Sequence, residues 1–175
     1  MGSLAVKEQL VEFFTSTFSL PVATIFLATL PILELRGALP VAILWKEPLP
    51  LWQAYALAVF GNMLPIPFII FLLQPITDFV RRWKHGDAFV EWLFARTRRK
   101  GKNIEKYEFW GLTIFVAIPL PMTGAWTGAM AGHLFGLKWY KTLCACFCGV
   151  CIAGVIMSAL AIFARGMFIR FFGLG

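Results

Sequence analysis

The sequence predicts an all-α integral membrane protein: an inverted repeat of two re-entrant helical hairpins, each followed by a transmembrane helix, with interfacial amphipathic helices beside them. Three observations lead there. Of the 175 residues, 59% are apolar and 14% charged, against about 25% charged in an average soluble domain. Several long stretches carry no formal charge, and the two halves of the chain repeat one pattern. The composition excludes a soluble enzyme, because a domain of this size needs more polar groups to cover its surface. Disorder is excluded too, since its signature is low hydrophobicity with high charge. The length allows a single membrane domain over residues 1–175.

Taken in order, residues 1–17 read as a short interfacial helix, with Leu4, Leu10, Val11 and Phe14 leading to Phe18. Lys7, Glu8 and Glu12 do not make the basic start of a cleavable signal peptide. The first repeat spans residues 18–77. It runs uncharged from Phe18 to Leu33, is interrupted by Glu34-Leu35-Arg36, resumes from Gly37 to Trp45, and adds 30 uncharged residues from Pro48 to Thr77. The second repeat spans residues 109–165, with uncharged runs from Phe109 to Leu137 and from Thr142 to Ala164. A membrane helix needs about 20 apolar residues to cross about 30 Å of hydrocarbon, so all four segments reach that length. Between the repeats, residues 78–108 hold nine of the 16 Lys and Arg against five acids. That excess assigns the segment to the cytoplasm. Ile76, Phe79, Val80, Trp83, Val90 and Phe94 recur there at helical spacing, with Phe89 and Trp92 thickening the apolar side. The predicted partner is anionic lipid headgroups rather than nucleic acid, because membrane segments flank the basic run on both sides.

The repeat is visible by direct comparison. Thr24-Ile25-Phe26-Leu27-Ala28 matches Thr113-Ile114-Phe115-Val116-Ala117, each followed by a proline, Pro31 or Pro119. With gaps of one or two residues, Gly37 falls on Gly124, Trp52 on Trp139 and Gly61 on Gly149. Paired broken segments in corresponding positions point to a transporter's binding site. Pro31, Gly37 and Pro40 mark the break in the first half, and Pro119 and Pro121 mark it in the second. A 29-residue segment broken in its middle makes two helices of about 12 residues, each near 18 Å, or about half a bilayer. Two such hairpins would bring their tips to the middle of the membrane, shielded by protein or lining a watery cavity. Basic-residue counting is equally satisfied by four full crossings.

The candidate site is built on these breaks. Glu34 and Arg36 are charges inside a membrane segment, which points to function by default. Two apart, they do not face each other on a regular helix, which suits a broken turn. Arg36 is a candidate bidentate partner for a phosphate or carboxylate. Glu34 is the candidate proton-coupling group, since a carboxyl at low dielectric protonates more readily than in water. The competing reading is an ion pair that only locks the tip. Thr123, Gly124, Trp126 and Thr127 complete the candidate substrate-binding set at the second break, where free N–H groups of a half-helix would receive an anion. The competing role for the threonines is to satisfy backbone groups freed by the prolines. Asn62, beside Gly61, either lines a cavity or bonds across helices. Gly124, Gly128, Gly132 and Gly136 recur every four residues and predict a helix-packing face.

Other chemistry is not expected. Cys144, Cys148 and Cys151 follow helical spacing in an apolar run, while Cys146 points elsewhere, so small apolar packing is their role and no metal is assigned. His133, flanked by glycine, is read as a hydrogen-bonding residue. No phosphate-binding glycine loop, zinc-protease helix or nucleophile elbow occurs, so no enzyme activity and no cofactor are expected.

Three motifs carry a resemblance: residues 30–40 (LPILELRGALP), residues 61–65 (GNMLP) and residues 119–129 (PLPMTGAWTGA). With them the chain resembles the small multi-drug export family of prokaryotic membrane proteins over about residues 20–160. That family is in turn similar to the broader DedA and SNARE-associated group. Met122 departs from the glycine expected in the third motif. The resemblance implies paired re-entrant hairpins, a multi-pass protein of the cytoplasmic (inner) membrane, and transport. DedA-like relatives imply a proton-coupled flippase for an anionic, polyprenyl-phosphate-type lipid, with Arg36 holding the headgroup. The family name implies instead a small-molecule exporter with Glu34 as the cation-binding group. A membrane scaffold using the glycine face is the third expectation. A chain this small is expected to need a second copy, as a homodimer, to enclose a pathway.

Overall fold

The computed structural model describes residues 2–82, 108–119 and 124–172, and every described element is a helix: α1 (Gly2–Thr17), α2 (Leu20–Thr29), α3 (Glu34–Leu44), α4 (Leu51–Met63), α5 (Ile66–Arg81), α6 (Glu108–Ala117), α7 (Ala125–Leu134) and α8 (Trp139–Phe172). Two stretches are long and apolar enough to cross a membrane, Leu51–Thr77 and Trp139–Arg165. Each has 27 residues, about 40 Å of helix against about 30 Å of hydrocarbon.

Prolines and glycines set the helix ends. Leu30 precedes Pro31 and is extended, at φ −73° and ψ 132°, the conformation a following proline imposes. That ends α2. Gly136 follows α7 with φ +76°, where its N–H donates to the His133 carbonyl and the Leu137 N–H reaches back to Gly132. A residue with a β-carbon would be strained at that left-handed turn.

The chain divides into two compact units, Met1–Leu64 with Val150–Gly175, and Pro65–Gly149. In the first, α2 packs along α3 and both pack on α4. Phe14 of α1 stacks on Phe26 of α2, with ring centroids 5.6 Å apart. The helices approach closely because Ala23, Ala28, Ala38, Ala42, Ala54 and Ala58 have no solvent exposure at all. A β-carbon on Gly61 would sit 2.5 Å from the Ile25 carbonyl oxygen. The Thr29 hydroxyl bonds the Gly61 carbonyl at 3.0 Å. The later part of α8 closes the unit: Tyr55 donates to the Cys151 carbonyl at 3.0 Å, and a β-carbon on Gly154 would lie 2.7 Å from the Tyr55 ring.

In the second unit, α7 packs on both α5 and α6. Gly128 and Gly132 leave no room for side chains, since a β-carbon would run into Val116 or Thr142. One on Gly149 would lie 2.8 Å from the Thr113 carbonyl oxygen. The units bury aligned positions. Ala23, Thr24, Leu27 and Ala28 of α2 correspond to Leu112, Thr113, Val116 and Ala117 of α6, and all eight are buried. Thr24 and Thr113 each return their hydroxyl to the carbonyl four residues back.

Several expectations are corrected. Gly37 and Pro40 do not break the chain; both lie inside α3, and the break is confined to residues 30–33. The run from Pro48 to Thr77 holds the candidate span Leu51–Thr77, with a turn at residues 64 and 65 between α4 and α5. Of the four spaced glycines, Gly128 and Gly132 pack, Gly124 precedes α7 as its N-cap, and Gly136 is exposed and serves the turn. Ile76 and Phe79 belong to the end of α5. The amphipathic pattern from Trp83 onward lies outside the described residues, as do Pro121, Met122 and Thr123.

Close backbone approach predicts a sharp contrast between glycines. Gly61→Leu should lower the thermal unfolding temperature of the detergent-solubilised protein, because overpacking costs about 1–3 kcal/mol. Gly111 is exposed in α6 with nothing within 4 Å of a β-carbon. Gly111→Ala should therefore leave stability unchanged or raise it by up to about 1 kcal/mol.

Candidate functional site

The residues singled out from sequence fall into two groups, one in each unit. In the first unit the chain turns sharply after α2. The Leu30 carbonyl accepts from both the Leu33 N–H at 3.2 Å and the Glu34 N–H at 2.8 Å. Glu34 opens α3 with φ +51°, and among the described residues it is the only non-glycine with positive φ. Its side chain is buried, with 8% exposure. A left-handed backbone at a residue other than Gly, Asn or Asp is costly, so the packing around this turn holds a carboxyl where neither backbone nor solvation favours it. Nothing in the sequence announces this, because glutamate is not a residue type that marks positive φ.

Arg36 follows two residues later in the first turn of α3, half-buried, and feels the charge of Glu34. Pro40 adds polarity nearby: it offers no N–H to the Arg36 carbonyl, the acceptor four residues back. Asn62 stands beside Gly61, whose carbonyl takes the Thr29 hydroxyl at the end of α2. Thus α4 delivers Asn62 to the end of the α2–α3 pair that carries Glu34. Asn62 is 3% exposed, and its Oδ1 is buried without a hydrogen-bond partner among the described residues. The Ser158 hydroxyl of α8 is also buried without a partner among the described residues, and sequence reasoning missed it because a lone serine in an apolar run carries no signal. Unsatisfied buried polar atoms are rare in native proteins and need a reason.

The second unit assembles Gly124, Trp126 and Thr127. The Gly124 N–H donates to Thr127 Oγ1 at 2.8 Å, and the Thr127 hydroxyl lies 3.1 Å from the Gly124 carbonyl. Thr127 is therefore occupied with capping α7, the competing role of the two considered for it. Trp126 is different: its Nε1 is buried without a hydrogen-bond partner among the described residues. It sits in the first turn of α7, where backbone N–H groups lack intrahelical acceptors.

The remaining polar residues have structural partners or lie apart. Cys146 is buried with its sulfur 4.0 Å from the Ala125 carbonyl, and all four cysteines are free thiols. No group of three His, Cys, Asp or Glu side chains gathers among the described residues. His133 Nε2 lies 3.0 Å from the Thr77 hydroxyl.

A family model described as "Putative small multi-drug export protein" matches residues 34–156, more than half of the chain. The match begins at Glu34 itself and includes Arg36, Asn62, Gly124, Trp126 and Thr127. No curated protein and no solved structure matches the chain.

The backbone at residue 34 makes a testable distinction between two variants that both lose the carboxyl. Glu34→Gly should be more stable than Glu34→Ala by about 1 kcal/mol, since only alanine retains the left-handed penalty. Thermal unfolding of the two in one detergent measures the difference; equal stability would show that position 34 bears no strain.

Proposed function

The chain belongs to the small multi-drug export family, and we propose that it is a proton-coupled exporter of small amphipathic molecules in which Glu34 is the coupling carboxyl. One observation carries this reading: a carboxyl buried in an apolar turn, on left-handed backbone, beside Arg36. A buried carboxylate is tolerable only when its charge is offset. Here the offset comes from Arg36, from a proton, or from a cationic substrate. Exchange among these three is the coupling step: the substrate cation meets the carboxylate, a proton replaces it to give the neutral acid, and loss of that proton to the other side restores the carboxylate. The unpartnered Oδ1 of Asn62 supplies a neutral acceptor at the same end of the helix pair.

The architecture that suits this mechanism is the inverted repeat of re-entrant hairpins. The short helices support it: α2, α6 and α7 have 10 residues and α3 has 11, about 15–17 Å each, or half of the hydrocarbon thickness. The equivalent buried faces of α2 and α6 support it as well. In this reading residues 78–108 face the cytoplasm of a prokaryotic cell from the inner membrane, and two copies enclose the pathway.

A second reading is a flippase for an anionic, polyprenyl-phosphate-type lipid. It is favoured by the half-buried Arg36 and by the unspent Nε1 donor of Trp126 at the start of α7, which suit a phosphate better than a cation.

Liposomes holding the purified full chain test the coupling directly. An imposed pH gradient should drive ethidium movement, Glu34→Gln should reduce it to the protein-free background, and Glu34→Asp should keep part of it. Undiminished gradient-driven movement in Glu34→Gln would remove Glu34 from the mechanism. If Arg36→Ala instead abolishes transbilayer movement of a fluorescent phosphatidylglycerol, the anionic-lipid reading replaces the exporter. For the architecture, a single cysteine at position 138 in a Cys-free background should resist an impermeant maleimide in intact cells and react after permeabilisation. Labelling from outside would rule out the re-entrant arrangement.

A further inference from the structure

The second unit contains a feature that the coupling mechanism does not use. A cavity of about 360 Å³ opens between α5, α7 and the start of α8, lined by Ile70, Phe71, His133, Lys138, Trp139 and Thr142, among others. This is within the range of sites that take small organic ligands. Its lining is segregated. The rings of Phe71 and Trp139 meet at a tilt of 37° with centroids 5.8 Å apart, and both expose more than half of their surface. Lys138 brings the only formal charge among the lining residues.

The polar side is held in place from several directions. The Thr77 hydroxyl lies 2.7 Å from the Leu73 carbonyl oxygen. The same hydroxyl lies 3.0 Å from His133 Nε2, which holds the imidazole against α5. Thr142 is buried against α7, because Gly132 leaves no space between the two helices. Gly136 then turns the chain so that Lys138 and Trp139 start α8 at the mouth of the cavity. Trp139, Tyr140, Lys138 and Lys141 crowd the first residues of a 27-residue candidate span. Aromatic and basic residues at the end of a span mark the headgroup layer.

We propose that this cavity is a binding site for an amphipathic anion: a phosphate-bearing head beside Lys138 and an apolar stem along the Phe71–Trp139 pair. The reading does not depend on Glu34 or on transport. A phosphate there has a cation as partner and a hydroxyl and an imidazole within the same lining, and the two exposed rings offer an apolar surface to the stem. The anion is either a membrane phospholipid or a soluble phosphate ester, and the two sources separate experimentally.

The test uses the full chain in a non-ionic detergent, titrated with phosphatidylglycerol, phosphatidylcholine or sn-glycerol 3-phosphate, with binding read by native mass spectrometry. Phosphatidylglycerol should bind more tightly than phosphatidylcholine. Lys138→Ala should weaken it about fivefold, the share of one lysine at a membrane surface, while Lys138→Arg retains it. Lys138 is exposed, so its loss leaves the fold intact. A brominated phosphatidylglycerol should quench the wild-type fluorescence more than that of Trp139→Phe. Glu34→Gln should bind as the wild type does, which separates this site from the coupling carboxyl. If glycerol 3-phosphate competes, the head suffices and a soluble ester is the ligand; if only the lipid binds, the source is the membrane. Equal binding of both phospholipids, or binding unchanged in Lys138→Ala, would overturn the proposal.

Discussion

At Gly61 the backbone of α4 comes so close to α2 that a single added carbon would meet the Ile25 carbonyl oxygen, and much of the first unit depends on that approach. In a membrane, apolar side chains gain little by leaving lipid for protein, so helices are held by close van der Waals contact and by the few hydrogen bonds that proximity allows. The alanines at 23, 28, 38, 42, 54 and 58 supply the first. The Thr29–Gly61 and Tyr55–Cys151 bonds supply the second. Large apolar side chains are turned the other way: Phe60, Phe68 and Phe163 are mostly exposed, as suits a protein whose solvent is hydrocarbon.

This tight packing is what allows Glu34 to exist as it does. A carboxyl at positive φ in a buried turn would relax if its surroundings were soft. Here Leu33 and Ala38 belong to the core that also includes Leu27 and Ala28, so the residues flanking Glu34 are anchored on both sides. Leu35 is almost fully buried and reaches towards Gly154. The turn is thereby fixed, with Glu34 at its end and Arg36 close enough to feel its charge. The second unit uses the same packing, with Gly128, Gly132 and Gly149 in place of many of the alanines, but places there an unspent tryptophan donor rather than a charge.

The two units draw on the chain differently. The first joins residues 1–64 to the later portion of α8, which ties together segments distant in sequence. The second is one continuous run, residues 65–149, that holds α5, α6, α7 and the start of α8.

The apolar runs, the all-helical class and the break at Pro31 were legible in the sequence, because composition, charge and proline are one-dimensional signals. Glu34, Arg36 and Asn62 stood out for the same reason: polar groups in apolar runs are conspicuous. What the sequence misjudged were local backbone choices. Gly37 and Pro40 look like breaks, yet the helix runs through them because neighbouring helices supply packing that isolated propensity lacks. Gly136 looks like a packing glycine, yet its φ shows that it serves a turn. Only the tertiary structure decided that Thr127 spends itself on a cap while Trp126, Asn62 and Ser158 keep unpaired atoms. Only it placed Lys138, His133 and Trp139 around one cavity. Those outcomes depend on which helices meet and how closely, a matter of three-dimensional contact that the order of residues along the chain does not encode locally.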